Sequence, residues 1–365
     1  MPVVQTIDGT HEFEALADEW RELLADSGAD PLFLSWEWLF TWWRMLGGRR
    51  ALRLLTVRDG GRLVAVVPLV LRGRAMRRLQ PFEVLEFLGT GAAGSDYLDF
   101  IVRTGHEGDV LRALHKHLVD SRYSLELSHT TGDASSSSRL AQRLAGAGWA
   151  RVDEAVEVCP YIPFTGHDWD RYLETLGSSH RYNVRRRFRK LDKAFEVHFE
   201  RAVDESTCRR FLEDLVRLHR MRRDTLGGSD GLDDERMVAF HAAFTELALA
   251  RGWLRLHRLT LDGVAVAAVY GFRVGPKFYF YQSGFDPAYG KHSVGLLVLA
   301  HSIKAALEEG AAEYDLLHGN ERYKYHWTSS ERALTRHHLY PPHARGVVAH
   351  RLFGLKRQLK TCRVA

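Results

Sequence analysis

Asp315 stands between apolar neighbours in the run Glu313-Tyr-Asp-Leu-Leu317, with His318, Gly319, Asn320 and Glu321 just past its end. A carboxylate in a partly dry site is harder to ionise, so it can accept a proton near neutrality. The same pattern also suits a structural aspartate hydrogen-bonded to a loop. Immediately downstream lies a compact basic and aromatic tract, Arg322-Tyr323-Lys324-Tyr325-His326-Trp327. Its cations and rings could hold phosphates or an acyl donor, or dock an ordinary neighbouring helix.

A second block runs from Lys277 to Leu297 and reads as strand, glycine loop and helix. Phe278 and Phe280 alternate with Tyr279 and Tyr281, so both faces are apolar and the strand is expected at the centre of a sheet. The helix is expected to begin near Ser293, where its unpaired N–H groups can meet an anion such as a pyrophosphate. Gly290 and Gly295 permit close approach. A simple chain reversal is the alternative use of such a loop.

The elements that must position these residues follow from periodicity. Val184, Phe188, Leu191 and Phe195 recur at helical spacing and make Ser179 to Ala194 an amphipathic helix whose other faces are basic. Further helices are expected at 205–224, 234–251 and Ser293 to Glu309, and strands at 253–261, 263–273, 277–283, Glu313 to Leu317 and 332–340. In the first half, helices are expected from His11 to Ala25, Ser35 to Met45 and Arg139 to Ala147, with strands at 51–58, 62–71 and 97–102. Trp36, Trp38, Trp42 and Trp43 are read as core packing. Two similar hairpins, centred on Asp59-Gly60 and Asp262-Gly263, suggest duplicated halves. Pro160, Pro163 and Gly166 interrupt periodicity, which divides the chain into residues 1–160, 161–345 and a basic C-terminal helix at 346–365. The expected class is α/β, two similar halves each with a mixed sheet flanked by helices.

Composition narrows the function. With 365 residues, 45% hydrophobic and 27% charged, the chain reads as globular and not as disordered, fibrous or membrane-spanning. The start lacks the features of a secretory signal and no apolar run reaches about 20 residues, so a cytoplasmic location is expected. Three cysteines without CxxC spacing fit a reducing compartment, and the 19 histidines form neither HxxxH nor HExxH, so no metal is expected. The net charge of +5 favours an anionic ligand such as a nucleotide, CoA, tRNA or a phosphorylated lipid carrier.

Three segments in order, SSHRYNVRRRFRKLDK from Ser178, YFYQSGFDPAYGKHSVGLLVL to Leu299 and EYDLLHGNERYKYHW from Glu313, resemble the GNAT acyltransferase superfamily, in particular its double-domain CelD-like and FemAB-like branch. With FLSWEWLFTWW and SDYLDFIV in the first half, the resemblance covers nearly the whole chain. It implies a tandem GNAT-like fold with a degenerate, acceptor-side first domain and a catalytic second one. In such enzymes the central strand splays from its neighbour, pantetheine lies in the gap and pyrophosphate meets the loop before the next helix. Carried onto this chain, that assigns the donor, acyl-CoA and in the first instance acetyl-CoA, to Tyr281, Gln282, Ser283, Gly284, Lys291, His292, Ser293, Val294, Gly295 and Lys324. The family's phosphate-loop pattern departs here to Gly290-Lys-His-Ser293-Val-Gly295, and only the last glycine matches.

The implied reaction is direct N-acyl transfer to an amine of a small-molecule, sugar or peptide acceptor. Asp315 is the first candidate base and Glu321 the second, and Tyr323 would protonate the leaving thiolate. Asp96 or Asp99 would face the acceptor, since alternation puts them on opposite faces of a strand. Arg185 and Arg189 would meet a donor phosphate or an anionic acceptor. Fem-like members use aminoacyl-tRNA, which is the alternative donor, although no helical coiled-coil arm is visible. A catalytically silent factor in envelope polysaccharide production and a general nucleic-acid-binding module are the other readings. A monomer or homodimer is expected.

Overall fold

The computed structural model describes residues 2–72, 83–227 and 231–361. It divides into two compact units, residues 1–157 with 333–365, and residues 158–332. In chain order the first unit holds β1 (Val3–Ile7), α1 (Thr10–Ala15), α2 (Ala17–Ala25), α3 (Trp36–Leu46), β2 (Ala51–Leu52), β3 (Leu54–Asp59), β4 (Arg62–Val67), β5 (Leu69–Leu71), β6 (Val84–Phe87), β7 (Ile101–Val102), α4 (Glu107–Leu118), β8 (Ser124–Thr131) and α5 (Ser136–Gly146). β9 (Ala150–Pro163) leads into the second unit. There follow α6 (Trp169–Thr175), α7 (Ser178–Ala194), β10 (Val197–Arg201), α8 (Glu205–Leu226), α9 (Glu235–Ala250), β11 (Leu254–Leu261), β12 (Val264–Val274), β13 (Lys277–Phe285), α10 (Val294–Glu308) and β14 (Glu313–Asp315). β15 (Glu331–Tyr340), from Ala333 on, and α11 (Ala344–Thr361) group with the first unit. The sequence had put residues up to 345 with the second.

In the first unit, strands run β1-β3-β4-β7 in one sheet and β15-β8-β6-β5-β2 in another series. Ser35 caps α3 by accepting the Trp38 N–H, and the helix buries Trp36, Trp38 and Trp42. These three are core, as their spacing suggests, whereas Trp43 is only partly buried and donates to Thr10 Oγ1 at 3.0 Å. Pro68 has no N–H to give and splits the expected 62–71 strand into β4 and β5. Leu16 likewise separates α1 from α2. By contrast, Pro160 and Pro163 do not interrupt the chain, because both lie within β9.

The second unit has strand order β10-β11-β12-β13-β14, with the end of β9 beside β14. Neighbours are antiparallel except β13 and β14, which are parallel. Asp262 and Gly263, at φ 49° and 80°, make the two-residue turn between β11 and β12. In the first unit the matching turn shifts by one residue to Gly60-Gly61, because Asp59 still pairs with Arg62.

One face of the second sheet is covered by α7 and α10. Val184, Leu191, Leu297, Val298 and Ile303 meet Phe278, Phe280 and Tyr314 there. Phe278 stacks on Tyr314 at 4.5 Å, and each fully buried ring of this kind stabilises by about 1.5–3 kcal/mol. The other face carries α8 and α9, where Phe244 packs on Phe272 and His241 on Tyr270. Among the described residues, no helix is long and apolar enough to cross a membrane.

Candidate functional site

β13 and β14 pair over three residues, Lys277 with Glu313, Phe278 with Tyr314 and Tyr279 with Asp315. β13 then keeps its ladder with β12 out to Phe285. The chain after Asp315 turns the other way, with the Leu316 N–H donating to Pro160 O at 2.9 Å and the Gly319 N–H to Val158 O at 3.0 Å. The strands therefore part beyond Tyr279. Among the described residues no strand pairs with β13 on that side beyond Tyr279, and the Ser283 N–H is taken by the Gln282 side chain at 3.0 Å.

A cavity of about 430 Å³ opens beside this edge. Ser283 and Phe285 line it from β13, Gly290, Ser293, Val294, Gly295, Leu296 and Leu299 from the loop and α10, Tyr323, His326 and Trp327 from the segment after β14, and Arg222 and Gly227 from the end of α8. The loop is locally determined. Asp286 accepts the Ala288 N–H at 2.9 Å and Pro287 starts a short 3-10 helix to His292. Ser293 then takes the left-handed conformation, φ 61°, and opens α10 without a side-chain cap. The first N–H groups of any helix lack acceptors in the helix itself, so those of α10 are offered to the cavity wall. Gly295 is required by close approach, since a Cβ there would sit 2.8 Å from Phe285 Cδ1.

On the opposite wall, burial and the nearby Glu321 carboxylate push the Tyr323 phenol up, against the opposing effect of Arg222. The phenol therefore keeps its proton through neutrality. His326 stacks on His180, which also meets Trp327 edge-to-face, with ring centres 4.7 Å apart. Burial, then His326 and Arg187, hold His180 below the usual histidine range. Tyr172 donates to Trp327 O at 2.8 Å and fixes this wall from below.

The structure brings together Ser283, Ser293, Val294, Gly295 and Tyr323 of the residues expected to act, and leaves others elsewhere. Asp315 is fully buried, accepts the Leu317 N–H at 2.8 Å, lies 3.5 Å from Arg332 and does not line the cavity. Glu321 is exposed and faces Lys324 at 3.0 Å. Lys324 is buried and donates to Leu317 O, His318 O and Gly319 O at 3.2, 2.6 and 3.4 Å, so it clasps a loop where a phosphate contact was expected. Tyr281 points to the α9 side of the sheet, with its hydroxyl 3.3 Å from His241 Nε2. The Gln282 side chain accepts the Ser283 N–H. Gly284 marks the closest approach of α8, where a Cβ would be 2.4 Å from His219 N. Lys291 is exposed, and His292 packs edge-on against Phe195.

The residues expected on the acceptor side have other partners. Asp99 accepts the Ser136 and Ser137 N–H groups at 2.9 and 2.7 Å, which caps α5. Burial nevertheless pushes its carboxyl up. Asp96 is wholly buried in the same unit. The expected strand at 97–102 shrinks to β7 because Tyr97 sits at φ 57°, so alternation does not apply to these two aspartates. Arg185 pairs with Asp170 at 2.7 Å and Arg189 is exposed on the same helix. Arg222, Phe285, Leu296 and Leu299 line the cavity and were not singled out. Phe285 and Leu296 lie inside the quoted block, whereas Arg222 is brought in by α8 and carries no local signal.

The Lys324 clasp has a measurable consequence. Lys324→Met leaves three carbonyls without their donor, and is expected to cost about 2–4 kcal/mol of stability. Urea unfolding measures it, and a loss under 0.5 kcal/mol would refute the clasp.

Residues 178–325 match the family model of the acetyltransferase (GNAT) domain. No curated protein matches the chain in sequence. Among solved structures, FemX superposes with a TM-score of 0.61 at 12% identity, covering 92% of this chain and 96% of its own. A conserved protein of unknown function from Bacteroides thetaiotaomicron VPI-5482 gives 0.53 at 10% identity over 92% and 99% of the two chains. L-PGS from Bacillus licheniformis gives 0.51 at 12% identity over 93% and 95%. Parted strands, a helix opening on the cavity beside β13 and these likenesses agree: residues 178–325 are similar to the acetyltransferase (GNAT) domain, and the chain as a whole shares the fold of FemX.

Proposed function

We propose that the second unit transfers an acyl group from acyl-CoA to an amine, with the donor thioester lying in the cavity beside β13. The observation that carries this reading is the parting of β13 and β14 after Tyr279 and Asp315, with the start of α10 in the wall of the resulting cavity. Backbone groups of β13 on the side away from β12 would bind the pantetheine amides and polarise the thioester carbonyl. The first N–H groups of α10 would face the donor phosphates.

The amine attacks the carbonyl carbon, a C–N bond forms and the C–S bond breaks. His326, on the cavity wall, takes the proton released by the amine. Tyr323, kept protonated by burial and by Glu321, gives its proton to the departing sulfur. Asp315 acts in this account as a positioning residue that fixes the turn after β14 through the Leu317 N–H and Arg332.

Two glycines test the slot. A Cβ at Gly295 would meet Phe285, whereas one at Gly290 meets nothing within 4 Å. Gly295→Val is expected to weaken acetyl-CoA binding at least thirtyfold with the fold retained, and Gly290→Ala to leave it within threefold. Titration calorimetry reads both; equal binding by wild type and Gly295→Val would remove the donor from this cavity.

An aminoacyl-tRNA donor is the second reading, favoured by the FemAB-like fold and by the exposed Arg189, Lys190 and Lys193 on α7. Binding of that kind falls steeply with salt and ignores CoA, which separates the two.

A further inference from the structure

Among the described residues lining the cavity, Arg222 is the one fixed charge and none is a carboxylate. Its guanidinium lies 5.8 Å from the centre of the Phe285 ring, and it lines the same cavity as Tyr323 and His326. Among the described residues it makes no hydrogen bond and no ion pair, unlike Arg220 and Arg223 on the same helix, which both face Asp233. A guanidinium carries five donors in a rigid fork that matches a carboxylate or phosphate. Phe285, Leu296 and Leu299 in the same lining are apolar, and Glu321, the carboxylate whose charge also acts on Tyr323, is paired with Lys324 at 3.0 Å. An anionic group on a bound molecule would complete it with charge-assisted, bidentate hydrogen bonds.

We infer that Arg222 selects an acceptor amine that also carries an oxyanion, a carboxylate or a phosphate. The inference rests on the acyl-transfer reading above and adds to it the class of acceptor. Arg222 holds that group, and the amine of the same molecule is thereby directed to the thioester beside Tyr323 and His326. Neutral amines lack the anchor, and dicationic ones are repelled.

The test uses the full chain, acetyl-CoA and pairs of amines that differ in one anionic group: alanine against ethylamine, and phosphoethanolamine against ethanolamine. Thiol release gives kcat/KM for each, and the two pairs separate a carboxylate from a phosphate. In at least one pair the anionic amine is expected to be better by tenfold or more. Arg222→Met is expected to shrink that gap to threefold or less while the KM for acetyl-CoA stays within twofold. Arg222→Lys should recover part of it, because the charge returns without the fork. Parity within both pairs, or an anionic preference that survives Arg222→Met, overturns the inference. So does an Arg222→Met variant that loses affinity for CoA and not for acetyl-pantetheine, since Arg222 would then hold the donor phosphates. If acetyl-CoA stabilises the protein to heat but no anionic amine is acylated, the inference fails and acyl-CoA binding stands. If acetyl-CoA neither stabilises it nor releases thiol with any amine, the acyl-transfer reading fails as well.

Discussion

Tyr323→Phe is expected to lower kcat by about 10²–10³ while leaving the KM for acyl-CoA within twofold, because positioned proton transfer is worth about that much. The substitution removes one oxygen and keeps the ring that lines the cavity. Its effect should fall on the step in which the sulfur departs, not on binding. The wild-type phenol is pushed up by burial and by Glu321, so loss of its proton should not limit the rate between pH 6 and 9. Initial rates of thiol release across that range measure both points. A variant that keeps more than half of the wild-type kcat would show that the leaving thiolate needs no acid from this residue.

The second large effect is on stability. Burial holds His241 and His257 down to about 3 and His301 down to about 4. All three belong to the second unit. In the unfolded chain a histidine titrates near 6.5, so below that pH the unfolded state binds protons that the folded state refuses. Stability is therefore fully present above pH 6.5 and falls as the pH drops towards the folded values. Between pH 7 and pH 5 each histidine is expected to contribute a loss of about 2 kcal/mol. Urea unfolding at the two pH values reads the sum, and His257→Gln should remove about one third of the difference. An unchanged midpoint would mean that these imidazoles take up protons inside the fold.

The parts of the fold that could be read from the chain are those decided by local pattern. The 278–281 aromatic alternation and the apolar spacing of Val184, Phe188 and Leu191 each encode one element and its buried face, and β13 and α7 match them closely. The loop before α10 was likewise legible, because Asp286, Pro287 and Gly290 act within a few residues of one another. Residue roles set by distant partners were not. Asp315 looks like a base in isolation, but Arg332 and the Leu317 N–H engage it. Lys324 looks like a phosphate ligand until three loop carbonyls close around it. Asp99 reads as a strand residue and serves as a helix cap, because α5 starts nearly forty residues later in the chain and only the fold brings the two together. Arg222 reaches the cavity through the path of α8, which no short motif encodes.

The central claim is that the gap between β13 and β14 receives the donor. Hydrogen exchange of the full chain with and without saturating acetyl-CoA tests it directly, because backbone amides of β13 and the first turn of α10 would gain partners on binding. Slowed exchange is predicted in peptides covering 280–285 and 293–297, with little change in β10 or α9. Protection confined to other segments, or no protection anywhere at saturating acetyl-CoA, would contradict the account.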